Sequence, residues 1–134
     1  MSQDALTLAA IREELAGLLV GGRVQRVVRP APMGLGLEIY TGTRHQLLLD
    51  TEPEGTGVAL ADQRLRRGVE TASPLLLLLR KCVQGARLSG ISQPALERVL
   101  RFSFAGQEGA VDLVCEIMGR LSNLILVDAS GVIL

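Results

Sequence analysis

Glu97 and Arg98 set a carboxylate beside a guanidinium. That pairing suits nucleic acid, because an acid accepts from a base amino group while Arg donates to a base edge or a phosphate. If residues 96–104 form one strand, Leu96, Arg98, Leu100, Phe102 and Phe104 share a face, with Glu97, Val99, Arg101 and Ser103 on the other. Arg98 then stands on the apolar side, where an unpaired guanidinium is very costly and must find an acid. Asp4 or another acid near the strand start meets that need, and an ion pair there is compatible with RNA contact. Arg120 follows Gly119, which permits unusual backbone angles and close approach of a partner, and Ser122 and Asn123 beside it suit bracing of a turn. Arg64, Arg66 and Arg67 form the densest cationic cluster; they fit an RNA backbone, and equally a solvated loop.

Other chemistries find less support. His45 is the only histidine, and no Ser or Cys partner is signalled near it, so a catalytic triad cannot be argued. Cys82 and Cys115 lie far apart inside apolar runs, without the spacing of a metal site, and read as small buried hydrophobes. No metal and no cofactor is expected. Basic and acidic residues balance at 14 each, so no global field draws the chain to nucleic acid or membrane, and any RNA site must be local. The run from Leu75 to Leu79 is far short of the ~20 residues that span a bilayer, and no secretion signal is evident. A cytoplasmic protein is expected.

The elements that must position these groups follow from periodicity. Leu8, Ile11, Leu15, Leu18 and Leu19 recur at helical steps, and Gly21 and Gly22 end the helix. Residues 23–29 read as a strand, a proline turn follows at 30–34, and 35–40 with 44–50 read as a hairpin. Residues 51–71 lose periodicity and are expected to be a long, mobile surface connection carrying Arg64, Arg66 and Arg67. Ser73-Pro74 starts a second helix through residue 84, and Gly85 stops it. Strands are expected at 87–93, 96–104, 110–117 and 123–128, with a turn over 105–109.

The two halves resemble each other at an offset of 64 residues. Gly21, Arg23, Pro30 and Ala31 correspond to Gly85, Arg87, Pro94 and Ala95. Duplication of a helix-plus-sheet unit and chance both account for four identities in so short a window. With 48% apolar and 2% aromatic residues in 134, one domain with an aliphatic core is expected, of α+β class, with a largely antiparallel sheet or sandwich and two helices.

The segment Met118-Gly119-Arg120-Leu121-Ser122-Asn123, leading through an apolar strand to Asp128, resembles the motif of the NFACT family, the RqcH/NEMF group of ribosome quality-control factors. Leu79-Arg80-Lys81, Gly85-x-Arg87 before Gln93-Pro94, and Asp4 also stand where that family carries such residues. The resemblance implies a fold similar to the N-terminal domain of formamidopyrimidine DNA glycosylases. It also implies that 1–134 is the N-terminal part of a longer protein, cut short at its C-terminal end. The function implied is a tRNA- and rRNA-binding, ribosome-associated module with no catalytic residue. It would hold tRNA, typically alanyl-tRNA, on a large subunit blocked by stalled peptidyl-tRNA, while the ribosome itself extends the chain without mRNA. The expected tRNA contacts are Asp4, Glu97, Arg98 and Arg120, with Arg64, Arg66 and Arg67 along the RNA backbone. Neither a membrane nor a small-molecule substrate is expected as a partner. Two departures stand out: Glu97 replaces the Asp of the family's Asp-Arg pair, and Leu121 replaces the motif His. Alternatives are a glycosylase-like nucleic-acid enzyme, whose N-terminal proline nucleophile is not matched by Met1-Ser2-Gln3, and the surface adhesin implied by the family's older label, fibronectin-binding protein A.

Overall fold

Leu8, Ile11, Leu15 and Leu19 fall on one stripe of the first helix, α1 (Ala5–Leu19), and face the core, whereas Leu18 turns outward and is 43% exposed. The computed structural model describes residues 5–30, 34–50, 57–66, 68, 73–94, 98–107, 109–117 and 123–134. Helix α1 ends at Gly21, whose φ of 93° suits glycine. Strands β1 (Arg23–Val28), β2 (Gly34–Tyr40), β3 (Arg44–Asp50) and β4 (Val58–Ala61) follow. Then come α2 (Pro74–Cys82), β5 (Arg87–Ser92), β6 (Val99–Gly106), β7 (Gly109–Glu116) and β8 (Asn123–Asp128). Ser73 caps α2 by accepting from the Leu76 amide at 3.1 Å, ahead of the proline that its first turn tolerates.

The eight strands among the described residues form one antiparallel sheet in the order β4-β3-β2-β1-β5-β6-β7-β8. The α+β expectation is met by a single sheet rather than a sandwich. At its centre β1 meets β5, and the hydrogen bonds there come in matched pairs. The Gly21 amide donates to the Leu88 carbonyl at 2.8 Å and the Gly85 amide to Val24 at 2.7 Å, while Val24 donates to Ala86 at 2.9 Å and Leu88 to Gly22 at 2.8 Å. Exchanging the halves at the 64-residue offset converts each bond into its mate. The register breaks at matching places too, between Val24 and Arg26 in one half and between Leu88 and Gly90 in the other.

Both helices cover one face of the sheet, crosswise: α1 lies on β5 and β6, α2 on β1. Each is tethered by an arginine, Arg12 Nη1 to the Ile91 carbonyl and Arg80 Nε to the Val27 carbonyl, both at 3.2 Å. Beneath them Leu37, Ile39, Leu47, Leu88, Leu100, Phe102, Phe104 and Leu113 are fully buried, at roughly 1.5–3 kcal/mol for each such side chain.

Three expectations need correction. The 51–71 stretch is not a featureless connection where it is described: 58–61 is strand β4, paired with β3, and residues 62–66 and 68 are pinned across the helix-free face of the sheet. The Leu65 amide donates to Gln46 Oε1 at 3.3 Å, its carbonyl accepts from Arg26 Nη2 at 3.2 Å, and Gly68 donates to the Arg29 carbonyl at 3.1 Å. Leu65 seats over Gly36, where an added Cβ would lie 2.5 Å from Leu65 Cδ1, so that crossing needs a glycine. Second, the strand expected at 96–104 is β6 from Val99, and Arg98 occupies a bend before it; residues 95–97 lie outside the described residues. Third, the turn expected over 105–109 is tighter, since Gly106 and Gly109 pair and Gly109 takes a φ of 101°.

Candidate functional site

Alternation along β2 turns Leu35, Leu37 and Ile39 toward the helices and Gly36, Glu38 and Tyr40 away from them. A strand carboxylate on that side would ordinarily be solvated. Here the crossing segment covers it, and Glu38 is only 4% exposed. Such a group must be paired. Arg26 from β1 donates from Nη1 to Glu38 Oε2 at 3.1 Å; Arg64 Nε from the crossing segment lies 3.5 Å from the same oxygen; Arg44 Nε from the start of β3 lies 3.6 Å from Oε1. Burial pushes the Glu38 carboxyl up, but hydrogen bonds from Arg26 and Gln46 and the charges of Arg26 and Arg64 outweigh it, holding the group below its ordinary 4.5. One ionised carboxylate therefore organises three guanidiniums. Nothing in the sequence reading singled out Glu38, Arg26 or Arg44. A signal existed: Glu38 is the only acid between Glu14 and Asp50, a stretch that holds Arg23, Arg26, Arg29 and Arg44.

Of the residues expected to contact tRNA, Asp4, Glu97 and Arg120 lie outside the described residues, as does Arg67 of the backbone-contact set. Arg98 is half-buried at the foot of β6, and its carbonyl accepts from the Ile117 amide at 2.8 Å. Ile117 is the last described residue before the 118–122 segment, and Asn123 resumes the chain opposite Glu116. Arg98 and both flanks of the 118–122 segment of that motif thus share one end of the sheet, formed by β6, β7 and β8. Arg64 and Arg66 belong to the other half, both exposed. Leu79-Arg80-Lys81 contributes a tether, since Arg80 reaches Val27.

His45 is held between two hydroxyls, Nε2 lying 3.0 Å from Thr41 Oγ1 and 3.2 Å from Thr43 Oγ1. Burial and the neighbouring Glu116 push the Cys115 thiol up to about 12, so it is unreactive at neutral pH. Asp128 closes the turn after β8, accepting from the Ser130 hydroxyl at 2.8 Å and from the Val132 amide at 3.0 Å, bonds that hold it below its ordinary value. Among the described residues no cluster of three or more His, Cys, Asp or Glu could hold a metal, and no helix is long and apolar enough to cross a membrane.

Comparison with known proteins gives one consistent answer. Residues 4–134 match the family model described as NFACT N-terminal and middle domains. The chain is 33% identical to the Rqc2 homolog RqcH of Streptococcus pneumoniae over 98% of its own length and 25% of that protein. It is 31% identical to the Rqc2 homolog RqcH of Bacillus subtilis, over 97% of its length and 24% of that protein. It spans about a quarter of these relatives. The crystal structure of the N-terminal domain of fibronectin-binding protein PavA from Streptococcus pneumoniae superposes with a TM-score of 0.89 at 33% identity, covering 98% of this chain and 52% of that one. The N-terminal part of the fibronectin/fibrinogen-binding protein from Streptococcus suis gives 0.89 at 32%, again over 98% and 52%.

Proposed function

The chain belongs to the NFACT family, and from that premise we propose that it is the tRNA- and ribosome-binding N-terminal region of a ribosome quality-control factor. In this reading the whole protein acts in the cytoplasm on a large ribosomal subunit blocked by peptidyl-tRNA. It recruits tRNA, alanyl-tRNA in the bacterial case, so that the stalled chain gains a C-terminal tail without mRNA. Peptide-bond formation belongs to the ribosome, and the domain supplies grip and selection.

The observation that carries this reading is the bond between the Arg98 carbonyl and the Ile117 amide, which puts a half-buried arginine at the same sheet end as both flanks of the 118–122 segment of the family motif. Residues scattered over the sequence become neighbours, as a base-reading site in RNA requires. Asp4, Glu97 and Arg120, which lie outside the described residues, are assigned to the same site by the family resemblance alone. The test is tRNA binding and C-terminal tailing by the full-length protein carrying Arg98→Ala. Loss of one base-edge or phosphate contact predicts a drop in affinity of roughly tenfold or more. Undiminished binding and tailing would overturn the assignment.

The matched hydrogen bonds and register breaks about the β1/β5 junction also support reading the domain as two copies of one helix-plus-four-strand unit. A second functional reading rests on the names of the structural neighbours, which are fibronectin-binding proteins. Binding of the purified full-length protein to immobilised fibronectin, undisturbed by excess tRNA, would favour it over the RNA reading.

A further inference from the structure

We propose that the helix-free face of β1, β2 and β3 is a second RNA-contacting surface, on which buried Glu38 positions Arg44 and Arg64, with Arg66 beside them, to follow a phosphate backbone. The inference rests on the RNA-binding reading above and extends it to the opposite half of the sheet. Its basis is a division of labour among the arginines. Arg26 is a tether: its side chain is 24% exposed and is tied to both Glu38 and the Leu65 carbonyl. Arg44 and Arg64 approach Glu38 through Nε, at 3.6 and 3.5 Å, and their side chains remain 69% and 70% exposed, so they stay accessible to solvent. The anchor holds the charge in place while the guanidinium fork stays available, the arrangement that bidentate phosphate recognition favours.

Charge and shape point to a polyanion. Four guanidiniums, from Arg26, Arg44, Arg64 and Arg66, face two carboxylates, Glu38 and Asp62, a local surplus of two positive charges on a chain whose formal charges sum to zero. The patch consists of two open depressions that share Arg64. One is lined by Glu38, Arg44, Gln46 and Asp62, the other by Arg26 and Arg66. Neither encloses a small ligand, but a row of donors along adjoining depressions matches successive phosphates. Matching positions in the other half carry no such surplus: Gly90 stands for Arg26, Ser103 for Glu38, Asp112 for Gln46 and Ala110 for Arg44.

The experiment compares full-length protein with the Arg44→Gln/Arg64→Gln variant for binding to labelled tRNA and to an unrelated single-stranded RNA across a salt series. Two lost phosphate contacts should lower the slope of log affinity against log salt by about 1.5 and weaken both RNAs about tenfold near physiological salt. Melting should fall only slightly, since both side chains are exposed and Arg26 and Gln46 still hold Glu38. Arg44→Lys/Arg64→Lys, which keeps the charges, should retain most of the slope, and Arg101→Gln on the opposite half should change nothing. An unaltered slope in the glutamine variant, an equal loss in Arg101→Gln, or a loss of binding to phosphatidylglycerol vesicles without a loss for RNA would each overturn the proposal. If tRNA selection falls with Arg98→Ala but the double variant binds normally, this inference fails and the function above stands. If the double variant loses RNA while Arg98→Ala binds and tails normally, the reverse holds.

Discussion

The helix-free face of the sheet carries two different chemistries on two halves whose strand pairings match. In the first half, Arg26 and Glu38 sit opposite each other at the same side of the β1 register break that Gly90 and Ser103 occupy in β5 and β6. Glu38 also faces Gln46 where Ser103 faces Asp112. The first set is crossed by residues 62–66 and 68, with Glu38 nearly inaccessible, whereas in the second an Arg101–Asp112 pair at 3.4 Å has members 44% and 27% exposed. Since the second half forms the same strand pairings with glycine, serine and alanine, the sheet does not need the charged cluster. A buried ion group is in any case weak support for a fold. Its position invites a role outside stability, which is why we assign it one.

The comparison can be broken at the core first. If the halves are one cooperative unit, Phe102→Ala should cost about 4 kcal/mol and its counterpart Leu37→Ala about 3 kcal/mol, each with a single transition in urea. Both side chains are fully buried. Two separated transitions would mean that the halves fold independently.

Next, Glu38→Ala should cost about 2 kcal/mol, because it strands the partly buried Arg26; the figure is below that for a fully buried pair since Arg44 and Arg64 are mostly exposed. Ser103→Ala at the matching position should stay within about 0.5 kcal/mol. The same carboxylate predicts a pH effect. Its folded value is lowered, so its contribution is complete above the ordinary 4.5 and is lost as pH falls through the lower folded value. The stability gap between the native protein and Glu38→Gln should therefore shrink below about pH 4.5, as read from urea midpoints.

The smallest effect sharpens the likeness rather than the contrast. Gly21 and Gly85 take φ of 93° and 87° with open space around the missing Cβ, so Gly21→Ala and Gly85→Ala should each cost about 1 kcal/mol from backbone strain alone. Clearly unequal costs would mean that the two helix stops are not equivalent.

Much of this architecture was legible in the sequence. The glycine stops at 21 and 85, the Ser73-Pro74 cap and the alternation in 35–39 and 100–104 are local signals, and each names its element. Strand β4 was not legible, because Val58–Ala61 is short, apolar throughout and without alternation. Glu38 was misleading for a physical reason: alternation tells which side of a sheet a residue faces, but not whether another segment will cover that side. Its arginines come from positions 26, 44 and 64, and only strand pairing and the seat of Leu65 over Gly36 bring them together. Arg98, which alternation carried back from β6 puts on the apolar side, is half-buried in a bend one residue before that strand starts.

The most direct measurement is crosslinking of the full-length protein to RNA in cells, with sequencing of the bound RNA and mapping of the peptides that carry it. The account predicts tRNA among the bound species, with adducts on peptides containing Arg98 and on those containing Arg44 or Arg64. Recovery of no tRNA, or adducts confined to the Arg101 and Asp112 surface, would contradict it.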